Sequence, residues 1–149
     1  MSLTHQTQPT LGRATIPLPA KIAAAWTSFM FLYVYVDVLN FYKPDVVAEI
    51  LDGRIWRFEV TPPLLTGILA SVMIPALMVA LSVILPPRGN RIVNTVVATL
   101  YAPFTVFNVA GATAEWLPFY ALSIGAELAL LVLIVRWAWM AVPRRSEML

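Results

Sequence analysis

The sequence predicts an all-α membrane protein, with four transmembrane helices in an up-down bundle and a short extracytoplasmic amphipathic helix followed by an extended segment. Three observations predict it. Apolar runs over 22–42, 64–85, 92–114 and 117–142 each reach the roughly 20 residues that a helix needs to cross the hydrocarbon core. The chain is 60% hydrophobic, with a mean hydropathy of +0.78 and only 12% charged residues, about half the charged share of a soluble domain. The links after the second and third runs are short, so those neighbours must lie side by side.

Composition also excludes whole classes of chemistry. The net charge is +2, and the basic residues are spread along the flanks of the apolar runs without forming a patch, so nucleic acid is not an expected partner. There is no cysteine, which rules out thiol–disulfide chemistry and iron–sulfur clusters. The single histidine, His5, lies in a polar segment, so no histidine-built haem or zinc site is available inside the bundle. No cofactor and no metal site is expected.

In order along the chain, residues 1–20 read as a disordered cytoplasmic tail, polar in character and interrupted by Pro9, Pro17 and Pro19. The first apolar run is long and starts after residue 20, which marks a retained span and not a cleaved signal. The membrane domain covers 21–142, and 143–149 form a second short tail.

Arg13, Lys21, Arg88, Arg91, Arg144 and Arg145 fall on one side if the spans alternate. Lys43, Arg54 and Arg57 fall on the other, offset by Asp45, Glu49, Asp52 and Glu59. Cytoplasmic loops carry the excess of basic residues, so both termini are expected in the cytoplasm.

The 43–63 connection is the one sizeable link. Pro44 suits a first helical position. Val46, Val47, Ile50 and Leu51 share one helical face, and Gly53 suits a stop. Trp56, Phe58 and Val60 then alternate with Arg57 and Glu59, as in an extended strand. The segment reads as an interfacial cap anchored by Trp56, or as a lid in which Trp56 and Phe58 cover a cavity. Residues 85–91 read as a tight turn between the second and third runs.

In lipid, polar side chains turn toward protein. Tyr33, Asp37 and Asn40 follow Trp26 and Met30 on one face of the first run. Asn94, Ala98, Tyr101, Thr105, Asn108, Ala112 and Glu115 make the clearest stripe, on the third. Gly67, Ser71, Pro75, Met78 and Ser82 mark the second, and Tyr120, Ser123 and Glu127 the fourth.

Asn94, Thr105, Ser71, Ser82 and Ser123 read as hydrogen-bonding glue between helices, at about 0.6 kcal/mol per bond. The acids demand more. A carboxylate at the bilayer centre costs about 2.5–3.5 kcal/mol on insertion scales. Glu127 lies near the middle of its run, and Asp37 about one and a half turns inside the end of its own. A protonated carboxyl hydrogen-bonded to an asparagine or tyrosine offsets that cost. Arg136 is half a helical revolution from Glu127 and is a poor partner for it.

Several segments carry a family resemblance. They are Tyr33-Val34-Tyr35-Val36-Asp37-Val38-Leu39, then Glu49-Ile50 within 44–53, and Phe58-Glu59-Val60-Thr61-Pro62. Arg88-Gly89-Asn90-Arg91 follows, then Glu127 ahead of Arg136-Trp137-Ala138-Trp139. Over about 22–140 the chain resembles the DUF6326 family, small bacterial four-helix integral membrane proteins of unknown function. The resemblance implies the four-span fold and a multi-pass location in the bacterial inner (plasma) membrane. It supplies no reaction.

The leading functional reading is binding or transport of a small ligand, cation or proton in a polar pocket formed by Tyr33, Asp37, Asn40, Asn108 and Glu127. No catalytic residue is assigned. A second reading is a non-catalytic accessory subunit, in which the stripes only hold the bundle together. A third is a membrane enzyme using an Asp/Glu pair for proton transfer on a lipid-soluble substrate. The partners these readings imply are the lipid bilayer, a small ligand or proton, and a second copy or another membrane protein.

Overall fold

The computed structural model describes residues 15–107, 109–110 and 112–140. Four long helices dominate it: α1 (Leu18–Asn40), α3 (Pro62–Ile84), α4 (Pro87–Phe107) and α5 (Leu117–Met140). The connection after α1 holds the short helix α2 (Val46–Leu51) and a hairpin of two strands, β1 (Arg54–Ile55) and β2 (Phe58–Glu59). A single 3-10 turn, Ala114–Trp116, leads into α5.

Proline and threonine set the starts of the first long helices. α1 opens inside the expected tail, with Pro17 as N-cap and a proline in its first turn. The missing N–H of Pro19 costs nothing there, because the first turn has no intrahelical acceptor for it. Thr61 caps α3, its hydroxyl accepting from the Leu64 N–H at 3.4 Å, with Pro62 as the first helical residue.

α4 differs from the expected third span at both ends. It begins at Pro87, so Arg88, Asn90 and Arg91 belong to the helix, and the link from α3 is only Leu85 and Pro86. It stops at Phe107. Ala112 and Glu115 therefore do not continue its face; Ala112 is in the following loop and Glu115 in the 3-10 turn.

α1 packs against α3 and α5, α5 also packs against α4, and α3 touches α4 more lightly. The core is aromatic in its middle. Trp26, Phe29, Tyr33, Tyr101 and Phe104 form a run of edge and stacked ring contacts with centroids 5.7–6.4 Å apart, a geometry that gains beyond simple area burial. Met78, Leu131, Ile134 and Ala138 complete it.

One end of the core is polar and fully satisfied. The Trp26 indole N–H donates to Asn94 Oδ1 at 2.7 Å, and the Ser82 hydroxyl reaches the same oxygen at 3.1 Å. Asn94 Nδ2 donates to the Asn90 carbonyl at 2.8 Å and to its side-chain oxygen. Asn90 Nδ2 donates to the Ser82 carbonyl at 2.8 Å. All four side chains are buried. The Tyr101 hydroxyl also donates to the Ser71 carbonyl, joining α4 to α3. Asn94 and Ser82 thus act as the glue that their positions suggested.

Among the described residues, α1, α3 and the unit Ala114–Met140 are long and apolar enough to cross a membrane, which marks a membrane protein. α4 falls short by composition, since its first half carries Arg88, Asn90, Arg91 and Asn94.

The 43–63 connection is also rearranged relative to expectation. Pro44 precedes α2 instead of starting it, and Asp45 is the cap, at φ 68°. Gly53 stops α2 at φ +75°, where a Cβ would be strained, and its N–H donates to the Ile50 carbonyl at 3.0 Å. The expected single extended segment is folded back on itself. Arg54 pairs with Glu59 and Ile55 with Phe58, and Trp56 sits in the turn at φ 53°.

Candidate functional site

At the opposite end of the core from the Trp26–Asn94 network, one face of α1 meets one face of α5. Tyr33, Val36, Asp37 and Asn40 lie at positions i, i+3, i+4 and i+7 of α1, which a 3.6-residue period stacks on one stripe. Tyr120 and Glu127 are seven residues apart on α5, two turns along one face. These six side chains line a cavity of about 140 Å³. Tyr33, Asp37, Asn40 and Glu127, four of the residues singled out by the sequence, are therefore brought together. Asn108 lies outside the described residues.

The two acids sit in different surroundings. Glu127 is 2% exposed, and its Oε2 accepts a hydrogen bond from the Thr105 hydroxyl of α4 at 3.0 Å. Asp37 is exposed, although it also lines the cavity. Both carboxyls line the same cavity. Arg136 is exposed, and among the described residues the one ion pair joins Arg54 to Asp52, away from the cavity. Tyr33 stacks between Phe29 and Phe104, at 6.0 and 6.4 Å, which fixes the cavity wall on the side of the aromatic core.

A chain of polar contacts leads outward. The Tyr120 hydroxyl donates to Asn40 Oδ1 at 3.4 Å, and it accepts from Lys43 Nζ. The Lys43 ammonium lies over three rings, 4.0 Å from the Tyr120 centroid and 5.0 Å from those of Trp116 and Phe119. Such a position attracts a cation to the electron-rich ring faces. One basic side chain is thus held one hydrogen bond away from the cavity wall.

Trp56 and Phe58 do not line the cavity. Their rings contact each other at 5.9 Å, with Arg57 5.3 Å from the Trp56 ring. The first strand of the hairpin packs on α2. Tyr120 lines the cavity, and Lys43 is bonded to it from outside the lining.

Sequence reasoning missed Tyr120, Thr105 and Lys43 as parts of the site. Tyr120 shares the face of Glu127, and that spacing was a usable signal. The contacts of Thr105 and Lys43 depend on which helices meet, which spacing within one helix does not encode.

The chemistry available is that of oxygen ligands: two carboxyls, two phenols and an amide. Hard cations and protons suit such a set. Among the described residues there is no group of three or more His, Cys, Asp or Glu side chains fit to hold a metal ion.

The chain belongs to the DUF6326 family, a family of unknown function, whose model matches residues 20–142. No curated protein and no solved structure matches it.

Proposed function

We propose that this protein is a four-span membrane protein that binds a proton or a small monovalent cation between Asp37 and Glu127. The observation that carries the reading is the convergence of both intramembrane acids on one cavity with Tyr33, Asn40 and Tyr120. Intramembrane acids are costly, and they mark ion and proton sites by default. Size narrows the ligand. About 140 Å³ suits a few waters or a small ion, and it is below the range of about 300–1,000 Å³ typical of pockets for larger organic ligands. That disfavours an enzyme acting on a lipid-soluble substrate.

The fourth span is argued from the inverted pattern of α4. Its polar residues Asn90, Asn94 and Thr105 are buried, while Ile92, Leu100 and Phe107 are at least 60% exposed. Polar inside and apolar outside is the arrangement that lipid favours. The up-down order is supported by the contacts: Trp26 with Asn94 and Phe29 with Tyr101 advance together along α1 and α4, whereas Ser82 and Ser71 of α3 meet Asn94 and Tyr101 in reverse order. Both termini are taken as cytoplasmic, in the bacterial inner membrane, because Lys21, Arg88 and Arg91 occupy one end. The hairpin, with Trp56 and Phe58 half-exposed, then anchors in the outer headgroup layer.

The test is proton release from the purified protein in weakly buffered detergent on addition of sodium, potassium or ammonium salts. A cation that enters the site displaces a proton from the acids. The expected release disappears in Asp37→Asn and Glu127→Gln. Equal release from wild type and the double variant would end the proposal. Flux into proteoliposomes then separates transport from binding alone.

A further inference from the structure

A second site lies at the other end of the molecule, on the outer surface between α4 and α5. Arg88, Arg91, Ile92, Thr95 and Val96 of α4 and Trp139 of α5 line a groove of about 490 Å³. Their positions on α4 follow one helical stripe, with Arg88 in the first turn, Arg91 at the start of the second and Val96 about 12 Å beyond Arg88 at the helical rise. The groove is therefore basic at its head and apolar along its length.

Its head is organised. The Arg91 guanidinium lies over the Trp139 ring, its central carbon 3.2 Å from the centroid. The indole N–H donates to Thr95 Oγ1 at 3.2 Å, and that hydroxyl donates to the Arg91 carbonyl at 2.8 Å. A stacked guanidinium keeps its edge N–H groups free, and that edge matches phosphate oxygens in a bidentate fork. Among the described residues neither Arg88 nor Arg91 has a carboxylate partner. The apolar part is open, since Ile92 and Val96 are both more than half exposed.

We infer that this groove holds one anionic phospholipid, with its phosphate on Arg88 and Arg91 and one acyl chain along Ile92, Val96 and the Trp139 ring. Charge complementarity selects the anionic headgroup, and the apolar stripe selects a lipid over a free phosphate. Tryptophan and arginine at the ends of spanning helices occupy the headgroup depth where a lipid phosphate lies. The inference rests on the reading that α4 spans the bilayer with its first turn at the interface. It is independent of the cavity between Asp37 and Glu127.

Native mass spectrometry of the purified protein in detergent tests it, with phosphatidylglycerol titrated against phosphatidylethanolamine of the same acyl chains. Phosphatidylglycerol should be retained preferentially. Arg88→Gln with Arg91→Gln should weaken its binding about thirtyfold, since each basic residue near the surface contributes about a fivefold factor. Ile92→Trp, which leaves both arginines in place and fills the stripe, should also weaken it. Arg54→Gln, a surface charge elsewhere, should not. Thermal melts monitored by circular dichroism check that each variant is folded.

Unchanged phosphatidylglycerol binding in the arginine pair would overturn the inference. So would inorganic phosphate competing as effectively as the lipid while Ile92→Trp has no effect, because that pattern describes a bare phosphate site. A cysteine at Val96 in proteoliposomes separates this failure from failure of the α4 reading. Labelling by a water-soluble maleimide would remove both, whereas protection without lipid selectivity would remove only the lipid site.

Discussion

Asn94 is the residue through which the polar end of the core ties three helices together, and its energetic contribution follows from the contacts. Asn94→Ala removes four hydrogen bonds, but they do not count equally. The two to Asn90 lie within α4 at i, i+4, and a separated helix in a membrane keeps them. The two that depend on helix association are those from Trp26 on α1 and from Ser82 on α3. The latter is shared with the Met78 carbonyl, to which the same hydroxyl donates at 2.6 Å, so that their sum is an upper figure. At about 0.6 kcal/mol each, with an upper value near 1.7, interhelical bonds of this kind sum to about 1.2 kcal/mol, with a ceiling of about 3.4.

A buried indole N–H left without a partner would cost about 1–3 kcal/mol in a water-soluble reference. The membrane value is the better guide here, because the dissociated helices also find partners. Trp26→Phe deletes only one of the two bonds and should cost about half as much. The assay is reversible unfolding in mixed micelles or by steric trapping in bicelles, run as a double-mutant cycle of Trp26→Phe and Asn94→Ala. The expected coupling energy is about 0.6–1.7 kcal/mol. A coupling indistinguishable from zero, with each single variant already costing more than about 3 kcal/mol, would refute the reasoning, since the loss would then come from repacking and not from this bond.

Three further outcomes are expected. Glu127→Gln should fold with near wild-type stability, because the amide oxygen still accepts from Thr105 and the side-chain shape is kept; cation-dependent proton release should nonetheless be lost, and severe misfolding of this variant would instead indicate a required ionised carboxylate. Lys43→Met should tighten cation binding at the cavity by on the order of tenfold, since it removes a positive charge beside Tyr120, and a neighbouring charge contributes roughly 1–2 kcal/mol at an effective dielectric near 20; isothermal titration with the cation that releases protons reads this, and weaker binding would show that Lys43 shapes the site instead of repelling its ligand. With both termini cytoplasmic, a cysteine at Asp52 should react with an impermeant reagent in intact cells and one at Gly89 should not, and the reverse pattern would invert the orientation.

The parts of the site visible in the sequence are those carried by periodicity within one helix. Tyr33, Asp37 and Asn40 repeat at helical spacing, and charged or amide groups inside an apolar run have few stable places other than a protein interior. Partnerships between helices were not visible. Thr105 reaches Glu127, and Lys43 reaches Tyr120, only because α5 lies between α1 and α4. A polar stripe states which face turns inward but not which neighbour it will meet.

The boundaries of α4 differ from those of the apolar run for a related reason. Arg88, Gly89, Asn90 and Arg91 have turn-like composition, yet Asn90 is buried and bonded to the Ser82 carbonyl, a tertiary contact that outweighs local preference. The hairpin turn carries no glycine at its positive-φ position, where Trp56 stands. The usual marker of such a turn is therefore missing.

The order of groups along α1 constrains how the cavity could work. Trp26 belongs to the satisfied polar network, Phe29 and Tyr33 to the aromatic core, and Asp37 and Asn40 to the cavity. At the helical rise, Trp26 and Asp37 are about 16 Å apart along the axis. The space between them holds the contacts of Phe29 with Tyr101 and of Tyr33 with Phe104. Phe29 is fully buried, and so is Asn94 beyond it. The aromatic contacts therefore stand between the polar groups at the two ends. A protein that merely binds an ion needs nothing more than this arrangement. A protein that carries the ion across must part the aromatic layer, and Phe29 is the ring that bridges Trp26, Tyr33 and Tyr101. Under the proposed reading, this conformation accounts for binding without flux, and transport would require a second arrangement of the same helices in which those ring contacts are broken.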